Sequence, residues 1–450
     1  MHSLLELFRN FAQREDLAGT AFIVGGAVRD IILGKELRDI DIALKGDAPG
    51  IAKRFAHDIN GSFVFLDSDF GTARVVKGDQ FMDLSVLRGD SIYTDLAGRD
   101  ITINAMAIPL KSSNKLQVTS EEFKNKNFKN SLLVTRYSSL DVIDPFNGQN
   151  DLLDGIIRMV SEENLIQDPL RLLRVYRFAA ALHFSIEKHT LGAARKHAVR
   201  INSAAVERIA DELRHILRLN ASYDTINGMV NAGLLPSIFP EVGKDAWERV
   251  LPLYGKVEEI LDNLAVYFPG YSDDISNYFH VDYRRVCLKL STLFSNSEAA
   301  GNAALRLKMS GKEVEFIYPA ASGSRRIPDL YDESKSSDKK APIAFLKKFQ
   351  NDIYPLIILG IAHAGLLSNE AEILSFCRKL LSFYHEEIRP RMEMMPLITG
   401  NDLIREFHLT PSPLFKKILT EIEDRTLAGE ISSGEEALKA VRGMLKQGKE

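Results

Sequence analysis

An apolar run closed by two glycines, FIVGGAVRDIILG at residues 22–34, is followed at once by a second short run, RDIDIAL, carrying Asp39 and Asp41. That succession leaves little choice of local structure. The first run predicts a strand ending at the Gly25-Gly26 turn, VRDIILG predicts a helix leaving that turn, and DIDIAL predicts a second strand. Side chains at i and i+2 of a strand share one face, so Asp39 and Asp41 project together. From residue 20 to 110 the alternation continues through PGIAKRFAHDING, SFVFLDS, TARVVKG and FMDLSVL, which predicts a mixed α/β domain. From Ile156 onward strand signals thin out and amphipathic helical patterns dominate, as in SAAVERIADELRHILRL, for which Ser203 is the expected N-cap.

Two polar stretches interrupt this order. Lys111 to Ser139 reads as an extended hairpin or an insertion in the α/β domain, and Pro319 to Pro342 reads as a surface loop or linker. At 450 residues the chain is long enough for two to four domains, each with its own core. Its 45% hydrophobic content excludes a disordered chain. Cys287 and Cys377 are its only cysteines, which excludes a disulfide framework or a cysteine zinc site and fits a reducing compartment. The N-terminal residues lack a signal-peptide pattern, and the most apolar stretch, Pro355 to Leu367, is shorter than the roughly 20 residues that span a bilayer. A cytoplasmic protein with no membrane segment is expected.

Two carboxylates on one strand face, beside a glycine turn and a helix N-terminus that can receive phosphates, suit Mg²⁺ held against a nucleoside triphosphate. That is the geometry of two-metal nucleotidyl transfer. Taken singly, a glycine pair or D-x-D also fits an ordinary turn and an edge strand with its acids in water.

Together, G-G-x-V-R-D and the D-x-D that follows resemble the signature of the polymerase β-like nucleotidyltransferases, and within them the class II tRNA nucleotidyltransferase and bacterial poly(A) polymerase family. The resemblance implies an α+β protein, with an N-terminal mixed-sheet nucleotidyltransferase domain followed by an elongated all-α region. It implies that Gly26 and Arg29 contact the nucleotide phosphates and that Asp39 and Asp41 bind the metal ions. FMDLSVL offers Asp83 as the family's third acidic position, where it either completes the metal cluster or activates the attacking hydroxyl; the plain alternatives are a solvent-facing Asp or one paired with an Arg. GRDITINAMAI resembles the family's second motif and implies nucleotide contacts for Arg99, Asp100 and Asn104, with Gly98 and Ile101 standing where Arg and Phe are usual.

NLIQDPLRLLRVYRFAAALHF resembles the motif that selects the incoming base, which implicates Asp168, Arg171, Arg174 and Arg177, with Gln167 in place of the usual Glu. Their three-residue spacing covers roughly 14 Å of helix along a slowly winding stripe. An Asp accepting from an amino group and an Arg donating to a ring nitrogen or carbonyl can imitate a complementary base edge. The structural reading is an Asp168 helix cap with solvated arginines.

DPFNGQNDLLDGIIRMV resembles the family's hinge, and NSAAVERIADEL a bracing helix with Glu207 and Arg208. Helical segments matching the tRNA-gripping part of the family run to residue 438, with His408 and Ser412 at positions usually held by glycine. Ser295 and Asn296 replace the His and Asp that an accessory phosphohydrolase would need. The implied division is residues 1–155 as catalytic head, 156–220 as base-selecting neck, and 221–450 as tRNA-binding body and tail. Residues 156–218 carry eleven Lys/Arg against seven Asp/Glu, a local +4 suited to a phosphate backbone within a chain of net charge −4.

The expected reaction is attack by a tRNA 3′-hydroxyl on the α-phosphorus of CTP or ATP with release of pyrophosphate, Mg²⁺ being the cofactor. Only RGDSIYTD, Arg88 to Asp95, occupies the interval where family members that add the final A carry a longer flexible loop. CC addition therefore stands beside full CCA addition. The other readings are a poly(A) polymerase and a non-catalytic RNA-binding protein on the same scaffold.

Overall fold

The computed structural model describes residues 3–17, 19–37, 39–67, 71–110, 141–335, 340–367 and 369–447. It divides into two compact units, residues 1–219 with 224–238, and residues 220–223 with 239–450. The stretch 111–139, read above as a hairpin or insertion, lies outside the described residues.

The first unit is built on a six-stranded mixed sheet of order β3-β4-β5-β2-β1-β6. Its strands are β1 (Ala21–Val24), β2 (Asp39–Leu44), β3 (Ser62–Asp67), β4 (Thr72–Lys77), β5 (Gln80–Val86) and β6 (Ala107–Pro109). Among the described pairings of this sheet, β2 and β5 run parallel and the others antiparallel. Helices α1 (Leu4–Arg14), α2 (Gly26–Ile32), α3 (Ala48–Asp58) and α4 (Ile92–Ala97) complete this part.

Strand alternation sorts the two faces. Ile40, Ile42, Ala73, Val75, Met82 and Leu84 are all buried. α1 and α3 meet through Phe8 and Phe55, whose rings lie edge to face 4.9 Å apart. The opposite face bears Asp39, Asp41, Arg74 and Asp83. There α4 covers the sheet with Ile92 and Leu96, packed on Val24, Ala43 and Ala107. Apolar packing thus fixes one end of this face around the carboxylates.

From residue 141 onward the described elements are helical apart from short bridges and the two-residue strands Ile156–Ile157 and Ser185–Ile186. The helix of SAAVERIADELRHILRL starts at Val206 behind Ala205 with no side-chain cap. Ser203 is therefore not its N-cap. Its hydroxyl donates to the Arg200 carbonyl and closes the preceding 3₁₀ turn.

The second unit is a helical bundle, and it corrects the reading of 319–342. One helix, Gly311–Ser334, runs through both Pro319 and Pro328. Phe316, Ile317, Ile327 and Leu330 are buried along it, at roughly 1.5–3 kcal/mol each, which offsets about 3 kcal/mol for each internal proline. Gly360 on the helix Ile353–Leu366 permits the contact, since a Cβ there would lie 2.5 Å from Ile327 Cβ. That helix contains most of the apolar stretch 355–367 and lies in the core. Among the described residues no helix is long and apolar enough to cross a membrane.

A buried polar cluster fixes the crossover segment of the second unit. Lys289, fully buried, pairs with Glu258, whose carboxylate also accepts from the Ser222 and Tyr223 amides. Ser222 Oγ meets both Glu258 and Tyr254 OH. In the same unit Asn296 caps its helix by accepting from the Ala299 amide at 2.8 Å. His408 adopts a left-handed backbone at a helix end, φ 52°, the conformation that glycine adopts most readily.

Candidate active site

The site begins at the glycine turn. Gly25 has φ 71°, and a Cβ there would lie 2.7 Å from Arg99 Nη1 and 3.4 Å from Asp41 Oδ2. Only glycine allows the left-handed turn and the arginine to share that space. Gly26 opens α2, with Arg29 folded back beside it. Arg29 forks onto Asp30 with two bonds of 2.9 Å and donates through Nη1 to Asn104 Oδ1 at 2.8 Å.

Strand register brings the acidic residues together. Asp41 on β2 stands opposite Asp83 on β5, and Asp83 stands opposite Arg74 on β4. Burial pushes the Asp41 carboxyl above its ordinary value; Asp83 and Asp39 add to this, while Arg99 and Arg174 pull against it. Asp39 is exposed at the end of the same strand. Asp83 has an arginine across both oxygens, Arg74 Nε at 2.7 Å and Nη2 at 2.8 Å, and Arg74 stacks 4.4 Å from the Phe81 ring. The pairing with an arginine, one of the readings left open for Asp83, is present.

A carboxylate whose charge is disfavoured by burial and by two acidic neighbours, as Asp41 is, gains from a divalent cation. Among the described residues no three His, Cys, Asp or Glu side chains are placed to hold an ion by themselves. A site of two carboxylates completed by substrate oxygens and water suits Mg²⁺.

The GRDITIN segment folds over this face. Asp100 is buried, its Oδ1 accepting from the Ile101 amide and its Oδ2 from Arg174 Nε at 2.7 Å. Burial alone would raise its carboxyl; the Arg174 guanidinium outweighs that and holds it below its ordinary value. Asn104 lies in a 3₁₀ turn, Thr102–Asn104. The hinge segment holds that turn: Thr102 donates to buried Asp151, which Arg158 also grips. A Cβ on Gly148 would lie 2.3 Å from the Thr102 carbonyl.

The arginine stripe lies on the helix Leu170–Leu182. Asp168 precedes it, accepting weakly from the Leu170 amide at 3.3 Å and from Arg208 Nη2 at 3.0 Å. Capping and a role at the ligand are compatible here. The three arginines part company in their partners: Arg174 goes to Asp100, Arg177 to Glu212 at 2.6 Å, and Arg171 only approaches Asp168 at 4.0 Å. Arg171 is 12% exposed, and its buried Nη1 has no hydrogen-bond partner among the described residues. Burial pushes its pKa down. Phe178 lies among Arg29, Arg174 and Arg177, at 5.3, 5.2 and 4.1 Å from their guanidinium carbons.

The sequence reading missed Asp95, Arg74, Phe178 and Glu212. Asp95 stands four residues before Arg99, a spacing that signals a helix pair, but its side chain is 4% exposed.

A mixed sheet bearing paired aspartates beside a double-glycine turn, with an arginine-bearing helix folded against it, defines a nucleotidyltransferase of the polymerase β-like class. Comparison with known proteins agrees. Residues 21–158 match the family model of the poly A polymerase head domain, 183–245 that of an RNA- and SrmB-binding site of polymerase A, and 382–441 that of tRNA nucleotidyltransferase domain 2. The chain is similar to a CC-adding tRNA nucleotidyltransferase of Geobacter sulfurreducens, 37% identical over 93% of this chain and 90% of the relative. It is also similar to one from Synechocystis, 29% identical over 93% and 92%. In fold it resembles the Thermotoga maritima CCA-adding enzyme complexed with tRNA, with TM-score 0.65 and 24% identity over 98% of this chain and 95% of that one. The chain belongs to the class II tRNA nucleotidyltransferase and bacterial poly(A) polymerase family.

Proposed function

We propose that this protein adds cytidylate residues from CTP to the 3′ end of tRNA and stops before the terminal A. The observation that carries nucleotide selection is Arg171, whose buried Nη1 has no hydrogen-bond partner among the described residues, beside the Asp168 carboxylate. Leaving such a donor unsatisfied costs about 1–3 kcal/mol, and the edge of an incoming base would take it up. Arg174 and Arg177, already engaged by Asp100 and Glu212, hold the helix in place. The limit to CC rests on the Arg88–Asp95 interval, which runs after four residues into the short helix α4 packed on the sheet, and on the CC-adding relatives.

In the reaction the 3′-hydroxyl oxygen forms a bond to the α-phosphorus while the bond to the pyrophosphate oxygen breaks. Asp39 and Asp41 would hold Mg²⁺, whose charge favours attack and stabilises the leaving group. Arg29 and Arg99, flanking the Gly25-Gly26 turn, pair with the triphosphate, and Asn104 keeps Arg29 aimed. Asp83 is the remaining carboxylate on the face. Held by Arg74, it keeps further lone pairs and is the candidate acceptor for the hydroxyl proton. Asp100 fixes Arg174 and the motif around Asn104.

Residues 1–155 act in this reading as catalytic head, 156–220 as neck, and 221–450 as the part that grips tRNA. A cytoplasmic setting suits it, and Cys287 and Cys377 are buried. The test is transfer of labelled nucleotide from each of the four triphosphates to tRNA lacking CCA and to an unstructured RNA. Transfer of C to tRNA supports the reading; long A tracts on either RNA replace it with poly(A) synthesis.

A further inference from the structure

One buried carboxylate closes both ends of the interval between β5 and the GRDITIN segment. Asp95 Oδ1 accepts from the Arg88 backbone amide at 3.1 Å, and its Oδ2 accepts from Arg99 Nε at 3.0 Å and Nη2 at 2.9 Å. The α4 helix carrying it is capped by Ser91, which accepts from the Thr94 amide. Ile92 and Leu96 seat that helix on Val24, Ala43 and Ala107. The backbone around Arg99 is held as well: Asn164 Nδ2 donates to the Ala97 and Arg99 carbonyls at 2.7 and 2.8 Å.

These bonds engage two of the three guanidinium nitrogens of Arg99. The third, Nη1, lies over the turn, where a Gly25 Cβ would come within 2.7 Å of it. Two donors converging on one oxygen of a buried carboxylate leave a guanidinium little rotational freedom.

We infer that Asp95 is a positioning residue for triphosphate binding: it aims Arg99 Nη1 at the Gly25 turn and makes residues 88–99 a fixed strap. The inference rests on the reading of this face as the nucleotide site. Asp95 itself touches no substrate and acts through Arg99. Its removal should therefore weaken every nucleotide alike and leave base preference untouched.

The experiment is calorimetric binding of CTP, UTP and inorganic tripolyphosphate to the full chain, to Asp95→Asn, to Arg99→Lys and to the double variant. The parent is expected to bind CTP and tripolyphosphate. Asp95→Asn should weaken both on the order of tenfold, the scale of a lost charge-assisted pair, with the CTP-to-UTP ratio unchanged. In the Arg99→Lys background the same change should add less than twofold, because coupled residues do not add. Affinities within twofold of the parent in Asp95→Asn, or fully additive losses in the double variant, overturn the inference while leaving the nucleotide site standing. A parent that binds neither ligand overturns both. Hydrogen exchange on the parent needs no variant: slow exchange across 88–98 that CTP leaves unchanged supports a fixed strap, and fast exchange that CTP slows overturns it.

Discussion

Replacing Arg171 by Met separates selection from stability. The side chain is 12% exposed, its contact with the Asp168 carboxylate is 4.0 Å, and Nη1 is buried without a hydrogen-bond partner among the described residues. Burial already lowers its pKa, a sign that the charged form is poorly solvated where it sits. Methionine keeps most of the volume and removes the unsatisfied donor, worth about 1–3 kcal/mol. Part of that is returned by the loss of attraction to Asp100 and Asp168. The folded state should therefore be unchanged or up to about 2 kcal/mol more stable, a shift of roughly 2–4 °C per kcal/mol for a unit of this size. Discrimination should move the other way. One polar readout of a base edge is worth roughly 1–3 kcal/mol, so the CTP-to-UTP ratio should fall about 5- to 150-fold. Steady-state incorporation with competing triphosphates measures the ratio, and calorimetry measures the melting temperature. A variant that melts several degrees lower and selects as well as the parent would refute the assignment, because Arg171 would then be a structural residue.

Asp41→Asn should abolish transfer and leave melting unchanged or higher, since burial and the neighbouring Asp83 and Asp39 disfavour its charge; measurable turnover in the variant would remove Asp41 from the metal site. Lys289→Met strands the buried Glu258 carboxylate and should cost about 3–5 kcal/mol in urea unfolding of the second unit, whereas Lys289→Met with Glu258→Leu should recover much of it. Glu162, pulled down to about 2 by Lys196 and His197, contributes stability that is present above its ordinary 4.5 and lost as pH falls toward 2. The melting difference between the parent and Glu162→Gln should accordingly shrink across that window, and a difference as large at pH 2 as at pH 5 would contradict it.

The sheet and the glycine turn were legible because period-two alternation and the Gly25-Gly26 punctuation are local signals. Asp39 and Asp41 share a face for the same reason. What the sequence hid was the choice of partners. Arg174 and Arg177 look equivalent to Arg171 along the chain, but their carboxylates, Asp100 and Glu212, lie 74 and 35 positions away. Only tertiary packing tells the arginines engaged by carboxylates at hydrogen-bond distance from Arg171, which stands 4.0 Å from Asp168. Asp95 was hidden because an i,i+4 pair with Arg99 looks like a solvated helix face until α4 is seated on the sheet. The helix over 319–334 went unread because prolines and SGSRR are strong breaker signals, and burial against Ile353–Leu366 overrides them.

Sequencing the 3′ ends of a tRNA ending before CCA, after incubation with the purified protein, CTP, ATP and Mg²⁺ together, tests the central claim most directly. The account predicts a population dominated by ends extended with two C residues and no A. A population dominated by CCA ends would contradict the CC limit, and tRNA left without added C would contradict the function itself.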